Sequence, residues 1–431
     1  KNAGHCMHLV LRKTIAAGFM AILFCIAGCT GNNNSIADNH APGKYHAIYG
    51  NAVDLYRHGH TFIANRFLDY AFATLAPLTP IAQYLQYTFR EWVHFDNRRF
   101  DSANLYADSA LHTLQQSGIT SQYPDDYIHA LLEKGHVLMA LQQNELAYDY
   151  YLNARDFAEE NAHTRNVHEL SYDIGMTLYR QGRYADAANS FKTGFAEARI
   201  LLNSEGLMQS WANPIDRMQE MLANTGLCYT KTKQFDSALY YYNKALAFID
   251  SHIKHIQSAA FADAARGVIY GNMGTTYLQM GDSSKARELY HQSIALNVKP
   301  GGDRTDALKN AIKLSAINLD DKEVAYVKQL LDQTHLNGSA NLRPDIERDY
   351  AHLMSLYYDK NGNGTLANLH YRHYIHLRDS IVNATQVKNN TDIRNYLAYK
   401  EQQHRIELLE RDNRVGRILN FAVLVFCFLV N

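Results

Sequence analysis

Residues Asn224–Leu246 read NTGLCYTKTKQFDSALYYYNKAL, and residues Asn272–Ile294 read NMGTTYLQMGDSSKARELYHQSI. Both follow Asn-x-Gly-x-x-Tyr, then a turn, then Ala-x-x-x-Tyr. Gly226 and Gly274 stand where two helices cross closely, and Tyr229 and Tyr277 follow three positions later on the same helical face. Beyond the turn, Ala238 and Ala286 precede Tyr242 and Tyr290 by four residues, again on one face. Self-similarity of this kind marks a tandem helical repeat.

Two earlier stretches share the frame. One holds Gly135, Leu138, Gln142, Ala147, Tyr151 and Ala154, the other Gly175, Leu178, Gly182, Ala187 and Phe191. A degenerate copy keeps Phe100, Ala103, Ala107 and Ala110 in its second helix but has Glu91 where the small residue should be. Residues 307–331 and 349–381 alternate helix, turn and helix, with Asn361-Gly362-Asn363-Gly364 as a turn.

These residues resemble the tetratricopeptide repeat, a helix-turn-helix unit in which the first helix packs between its own second helix and the next unit. The resemblance covers residues 45–380 and implies an all-α, right-handed α-solenoid. The small-residue positions are 40, 51 and 48 residues apart, against roughly 34 in the standard unit. Some helices must therefore be longer or some connectors must hold extra turns, as in the stretch SEGLMQSWANPIDR around Pro214.

With 431 residues, 47% hydrophobic and 20% charged, the chain can bury a large core, and its net charge of -1 gives no general attraction to nucleic acid. The first residue is Lys1, and Met7 is the better start. Arg12 and Lys13, the apolar TIAAGFMAILFCIA and the small residues before Cys29 form a signal-peptide pattern over 7–29. Ile-Ala-Gly-Cys resembles the bacterial lipobox, which implies lipidation at Cys29. An ordinary signal peptide or an uncleaved anchor is the alternative, and the Asn-rich residues 30–44 suit a tether. Of the five cysteines this leaves Cys228 and Cys427, too few for a disulfide framework, and no CxxC pair offers a zinc ribbon.

No catalytic motif stands out: Gly-x-Ser-x-Gly, His-Glu-x-x-His and a phosphate-binding glycine loop do not occur. The histidines His370, His373 and His376, with His352 on the preceding helix, are spaced for adjacent turns. They drift by about 60° per step, however, and have no acidic partner at i+4, so packed or solvated histidines are the preferred reading over a metal site. His252 and His255 have weaker support still, and no cofactor or metal is expected.

A repeat solenoid works through its concave surface. The family register implies a groove lined by His129, Leu132, His136, Met139, Glu169, Tyr172, Met176, Tyr179 and Arg180. The next units add Glu220, Asn224, Thr230, Lys231, Asn272, Thr275 and Gln279. The cluster of Lys and Arg around an Asn that clamps a terminal carboxylate in some relatives is missing. Tyr, Met and amide groups instead suit an extended peptide or a partner helix, with packing between repeats as the alternative for any one of them.

Residues 381–417 are charged, without Pro, and read as a connector helix with a weak heptad seam at Tyr399, Ile406, Leu409 and Asn413, which suggests a homodimer. The apolar run 418–431 reads as a transmembrane segment cut short, about 20 Å long against a roughly 30 Å hydrocarbon core. Arg411, Arg414 and Arg417 weakly oppose the positive-inside rule. The whole order resembles the sensor half of membrane-bound regulators common in the Bacteroidetes. That resemblance implies a non-enzymatic, peptide-binding sensor at the cell membrane with its repeats in the periplasm and its output domain beyond the sequence. A periplasmic lipoprotein scaffold for protein–protein contacts is the alternative.

Overall fold

The computed structural model describes residues 42–74, 78–161, 167–205, 214–336 and 343–430, and among these residues every regular element is a helix. Two helices, α1 (Pro42–Arg57) and α2 (Thr61–Ala73), lie mainly in a compact unit of residues 1–81. Ala52, Leu68 and Phe72 are buried there, and the rings of Tyr45 and Phe72 meet at 6.1 Å.

The second unit, residues 82–431, holds seven helix pairs. They are α3 (Pro80–Asp96) with α4 (Phe100–Gln116), α5 (Pro124–Ala140) with α6 (Asn144–Glu160), α7 (Val167–Arg180) with α8 (Tyr184–Glu205), and α9 (Pro214–Lys231) with α10 (Phe235–Ser251). Then come α11 (Ala259–Met280) with α12 (Ser283–Asn297), α13 (Arg304–Asn318) with α14 (Asp321–Leu336), and α15 (Pro344–Lys360) with α16 (Gly364–Val430). The two widest spacings, 51 and 48, each include one 22-residue helix, α8 and α11, where the other helices from α3 to α15 have 14 to 18 residues.

Local chemistry sets the helix ends. Pro124 opens α5 with Asp125 and Asp126 in the first turn, where a missing N–H costs nothing and negative charge meets the positive end of the helix dipole. Asp282 and Asp303 cap α12 and α13 by accepting the N–H of Lys285 and Asp306. Inside six of the pairs, the residue seven positions after the small-residue site takes a left-handed conformation: Arg98, Gln142, Gly182, Lys233, Gly281 and Gly362.

One packing rule recurs. The ring sixteen residues after each repeat glycine fills the space over it: Tyr151 over Gly135, Phe191 over Gly175, Tyr242 over Gly226 and Tyr290 over Gly274. All four rings are at most 1% exposed, and each buries enough apolar surface to stabilise its repeat by about 2–3 kcal/mol. In the first pair the sizes are exchanged, since buried Glu91 is followed sixteen residues later by buried Ala107.

Between neighbouring pairs it is the first helices that approach one another directly, α9 to α11, α11 to α13 and α13 to α15, and no neighbouring pairs meet as closely through their second helices. A stack built this way curves with its first helices inside. Helix α16 runs 67 residues without interruption, from the second helix of the last pair through the connector stretch. It packs on α15 and then reaches α6 of the second pair.

The placement at a cell membrane must be corrected. Among the described residues no helix is long and apolar enough to cross a membrane, and residues 418–430 form the last turns of α16 rather than a span of their own. The location with repeats in the periplasm falls with it. The signal-peptide and lipobox reading with Cys29, and most of the tether, lie outside the described residues.

Candidate peptide-binding groove

Helices α5, α7, α9 and α11 present their inner faces side by side. At the α5–α7 step, Nε2 of His136 lies 3.0 Å from the Asp173 carboxylate and its Nδ1 lies 3.5 Å from Glu133, which His129 also approaches at 3.6 Å. Burial works against the imidazolium of His136, but the two carboxylates outweigh it and hold its pKa well above the ordinary value. Burial likewise opposes ionisation of Glu133, yet His136 and His129 pull its pKa down to about 2. The charged form of the pair is thus built into the inner wall.

Behind this cluster sits Glu91 of α3, 1% exposed, with neither carboxylate oxygen hydrogen-bonded. Burial, and then the negative charge on Glu133, push its pKa well above that of an ordinary carboxylic acid. A side chain at the small-residue site of a repeat has no groove to reach into and no solvent either.

At the α7–α9 step the guanidinium of Arg217 lies 4.1 Å from the ring centre of Tyr172 and donates to Glu220 at 3.0 Å. Asn224 points its amide at the sulfur of Met176, 3.6 Å away. Arg180 reaches back to the carbonyl of Met139 at 3.4 Å. Further along, Lys313 of α13 donates to the Thr275 hydroxyl at 3.0 Å.

The expected groove residues divide by exposure. Arg180, Lys231 and Gln279 are exposed, and Tyr172, Met176, Tyr179, Asn224 and Asn272 are half-buried, as are His129, His136, Glu169, Glu220 and Thr275. Leu132, Met139 and Thr230 do not line the groove, because they are buried between successive first helices; Thr230 is spent on Thr276 at 2.8 Å and Tyr242 at 3.1 Å. Tyr172 packs on Phe191 at 5.8 Å and Tyr179 on Tyr184 at 5.2 Å, so each ring shares its faces between core and groove. The family register alone did not single out Glu133, Asp173, Arg217 or Lys313; His136 and Asp173 lie 37 residues apart, close to one repeat, which is the signal that could have paired them.

Three histidines of the last pair are engaged by neighbours. His370 stacks on Tyr358 at 5.4 Å, His352 on Tyr374 at 4.5 Å, and His373 meets Glu347 at 3.0 Å. Among the described residues no group of three or more His, Cys, Asp or Glu side chains is placed to hold a metal ion.

The tetratricopeptide repeat family profile matches residues 268–297, the α11–α12 unit. No curated protein matches the chain in sequence. Solved structures share the fold. The apo form of the quorum sensor NprR from B. thuringiensis, 15% identical, superposes with a TM-score of 0.58 over 85% of this chain and 94% of that one. A Rap protein complexed with competence and sporulation factor is 16% identical, with a TM-score of 0.50 over 86% of this chain and 94% of that one. Aspartyl phosphate phosphatase F from Bacillus subtilis is 16% identical, with a TM-score of 0.51 over 81% of this chain and 96% of that one. At these identities the likeness is one of fold: an all-helical tetratricopeptide-like solenoid.

Proposed function

We propose that the chain is a non-enzymatic receptor for an extended peptide or a short helix of a partner protein, held along the inner faces of α5, α7, α9 and α11. The observation that supports this reading is that Tyr172, Met176, Tyr179, Asn224 and Asn272 are half-buried and Arg180 and Gln279 exposed on successive first helices, with Asn224 against Met176. Flat rings and a thioether give contact area at little entropic cost, and amides spaced one repeat apart can pair with peptide backbone. A protein of the same fold, the Rap protein, is known complexed with competence and sporulation factor, which supports the reading. In this proposal the chain is a signalling regulator, and α16 is the element that reports occupancy.

Mixing the full chain with a decapeptide pool of random sequence and free termini, followed by mass spectrometry of the retained peptides, tests the reading. The wild type retains a subset with related sequences. The double variant Asn224→Ala/Gln279→Ala loses at least tenfold in retention at an unchanged unfolding midpoint. Equal retention by both chains would sink the proposal.

A further inference from the structure

The N-terminus of α6 is capped from far away in sequence. Its own N-cap residue, Gln143, makes no side-chain cap bond. The carboxylate of Asp392, in the middle of α16, accepts instead the backbone N–H of Asn144 at 2.8 Å and of Glu145 at 3.3 Å. Asp392 is 6% exposed, although most of α16 around it is bare: Val387, Ile393 and Leu397 are all about half exposed or more. Two turns on, Tyr399 meets Tyr150 at 6.1 Å between ring centres and Lys400 pairs with Asp149. Lys388, Thr391 and Asn395 line a crevice against Ala140, Leu141 and Gln142 of the α5–α6 turn.

This contact joins the last helix pair to the second. The intervening pairs pack in sequence, so the contact ties the seventh pair back to the second across the stack. It lacks the glycine-and-ring packing that sets the helices within each repeat. Here one helix cap, one ion pair and one ring pair hold a helix whose other faces stand in solvent. Helix caps and part-exposed ion pairs are individually weak, whereas the helix they hold is long and stiff. Such an element has two natural positions, docked and released.

We propose that residues 388–400 of α16 are a reversible clasp on α6 that holds the solenoid closed, and that closing of the clasp and occupancy of the groove are coupled. The clasp stands on the contact alone; the coupling rests on the peptide-binding reading. Because both events bear on the same curvature, a ligand that fits the closed groove better favours the docked helix, and the docked helix favours that ligand by the same factor.

Hydrogen exchange followed by mass spectrometry on the full chain tests the clasp, comparing wild type with Asp392→Ala and Lys400→Glu. With the clasp present, Asp392→Ala speeds exchange about tenfold across residues 141–147 and 388–400 and leaves α9–α12 unchanged. Lys400→Glu acts in the same direction, and the exchanged pair Asp149→Lys/Lys400→Asp restores protection. Unchanged exchange at Asn144 and Glu145 in Asp392→Ala overturns the clasp. So does acceleration spreading through α9–α12, which would make Asp392 a support of the whole fold. For the coupling, the random decapeptide pool is applied to wild type and to Asp392→Ala. A change in retention of threefold or more supports it, and equal retention overturns it while leaving the binding reading intact. Retention by neither chain overturns the binding reading and the coupling together.

Discussion

The ring of Phe191 occupies the place where Gly175 lacks a side chain: a Cβ on Gly175 would stand 2.7 Å from Cε1 of Phe191. The same relation repeats at Gly226 and Tyr242 at 2.8 Å and at Gly274 and Tyr290 at 2.9 Å. Each first helix can therefore lie close against its partner only because one position is empty, and a buried ring fills it.

Gly175→Ala and Gly226→Ala should each destabilise the solenoid by about 1–3 kcal/mol, because a fully buried ring has nowhere to move. Gly50, inside α1, has nothing within 4 Å of its missing Cβ. There, Gly50→Ala should add about 0.5–1 kcal/mol to helix stability. Urea denaturation of the three variants beside wild type checks both signs.

The turns give a second test. Lys233 and Arg98 are exposed residues held at φ of 59° and 57°, a conformation that a Cβ makes unfavourable by about 1–2 kcal/mol. Lys233→Gly and Arg98→Gly should stabilise the protein by up to about 1 kcal/mol once the extra chain entropy of glycine is subtracted. Gly182→Ala, at φ 78°, should cost a similar amount. Denaturation midpoints with unchanged slopes are the readout.

These residues also mark what the sequence discloses. Gly226 with Tyr242 and Gly274 with Tyr290 repeat at one spacing because one packing relation recurs, so the solenoid was legible from periodicity. Gly182, Gly281 and Gly362 announce their turns, whereas Arg98, Gln142 and Lys233 adopt the same backbone with no mark in the sequence. The groove was half legible. Register gives the inward face of a first helix but not how much of that face the next first helix covers, which is why Leu132, Met139 and Thr230 turned out buried. Asp392 and Asn144, 248 positions apart, belong to no period. Tyr399, expected in a seam between two chains, lies against Tyr150 of its own chain. Ile406, Leu409 and Asn413 lie beyond the side chains described.

A third prediction concerns pH. Asp306 of α13 accepts from Asn297 and Asn310, both at 2.8 Å, in a knot of buried polar side chains. Burial raises its pKa from 3.8 to about 6 against the partial opposition of Lys313. The folded state therefore holds the proton more tightly than the unfolded chain. The sign follows: stability falls as pH rises from about 4 to about 6, by at most about 3 kcal/mol, and stays lower above. Asp306→Asn keeps an acceptor for the two amides and should remove this slope, leaving the variant more stable than wild type at pH 7.5. Urea titrations at several pH values between 4 and 8 would show it; parallel profiles for the two chains would refute it.

Glu91 allows the last prediction, and the sharpest in sign. A carboxyl group that is 1% exposed, without a hydrogen bond, and facing Glu133 is a cost to the fold in either protonation state. Below its unfolded pKa the cost is an unsatisfied neutral group, about 1–3 kcal/mol. As pH rises beyond that point the unfolded chain ionises while the folded one retains its proton, so the penalty grows until the folded group titrates. Glu91→Leu, opposite the small Ala107, removes both penalties and restores the apolar contact that the other pairs make with glycine and a ring. The variant should be more stable than wild type at every pH, by more at pH 8 than at pH 4. A gain that is equal at the two values would mean that Glu91 is not held neutral. A loss would mean that its carboxyl group serves His136 in holding the charge of the inner wall.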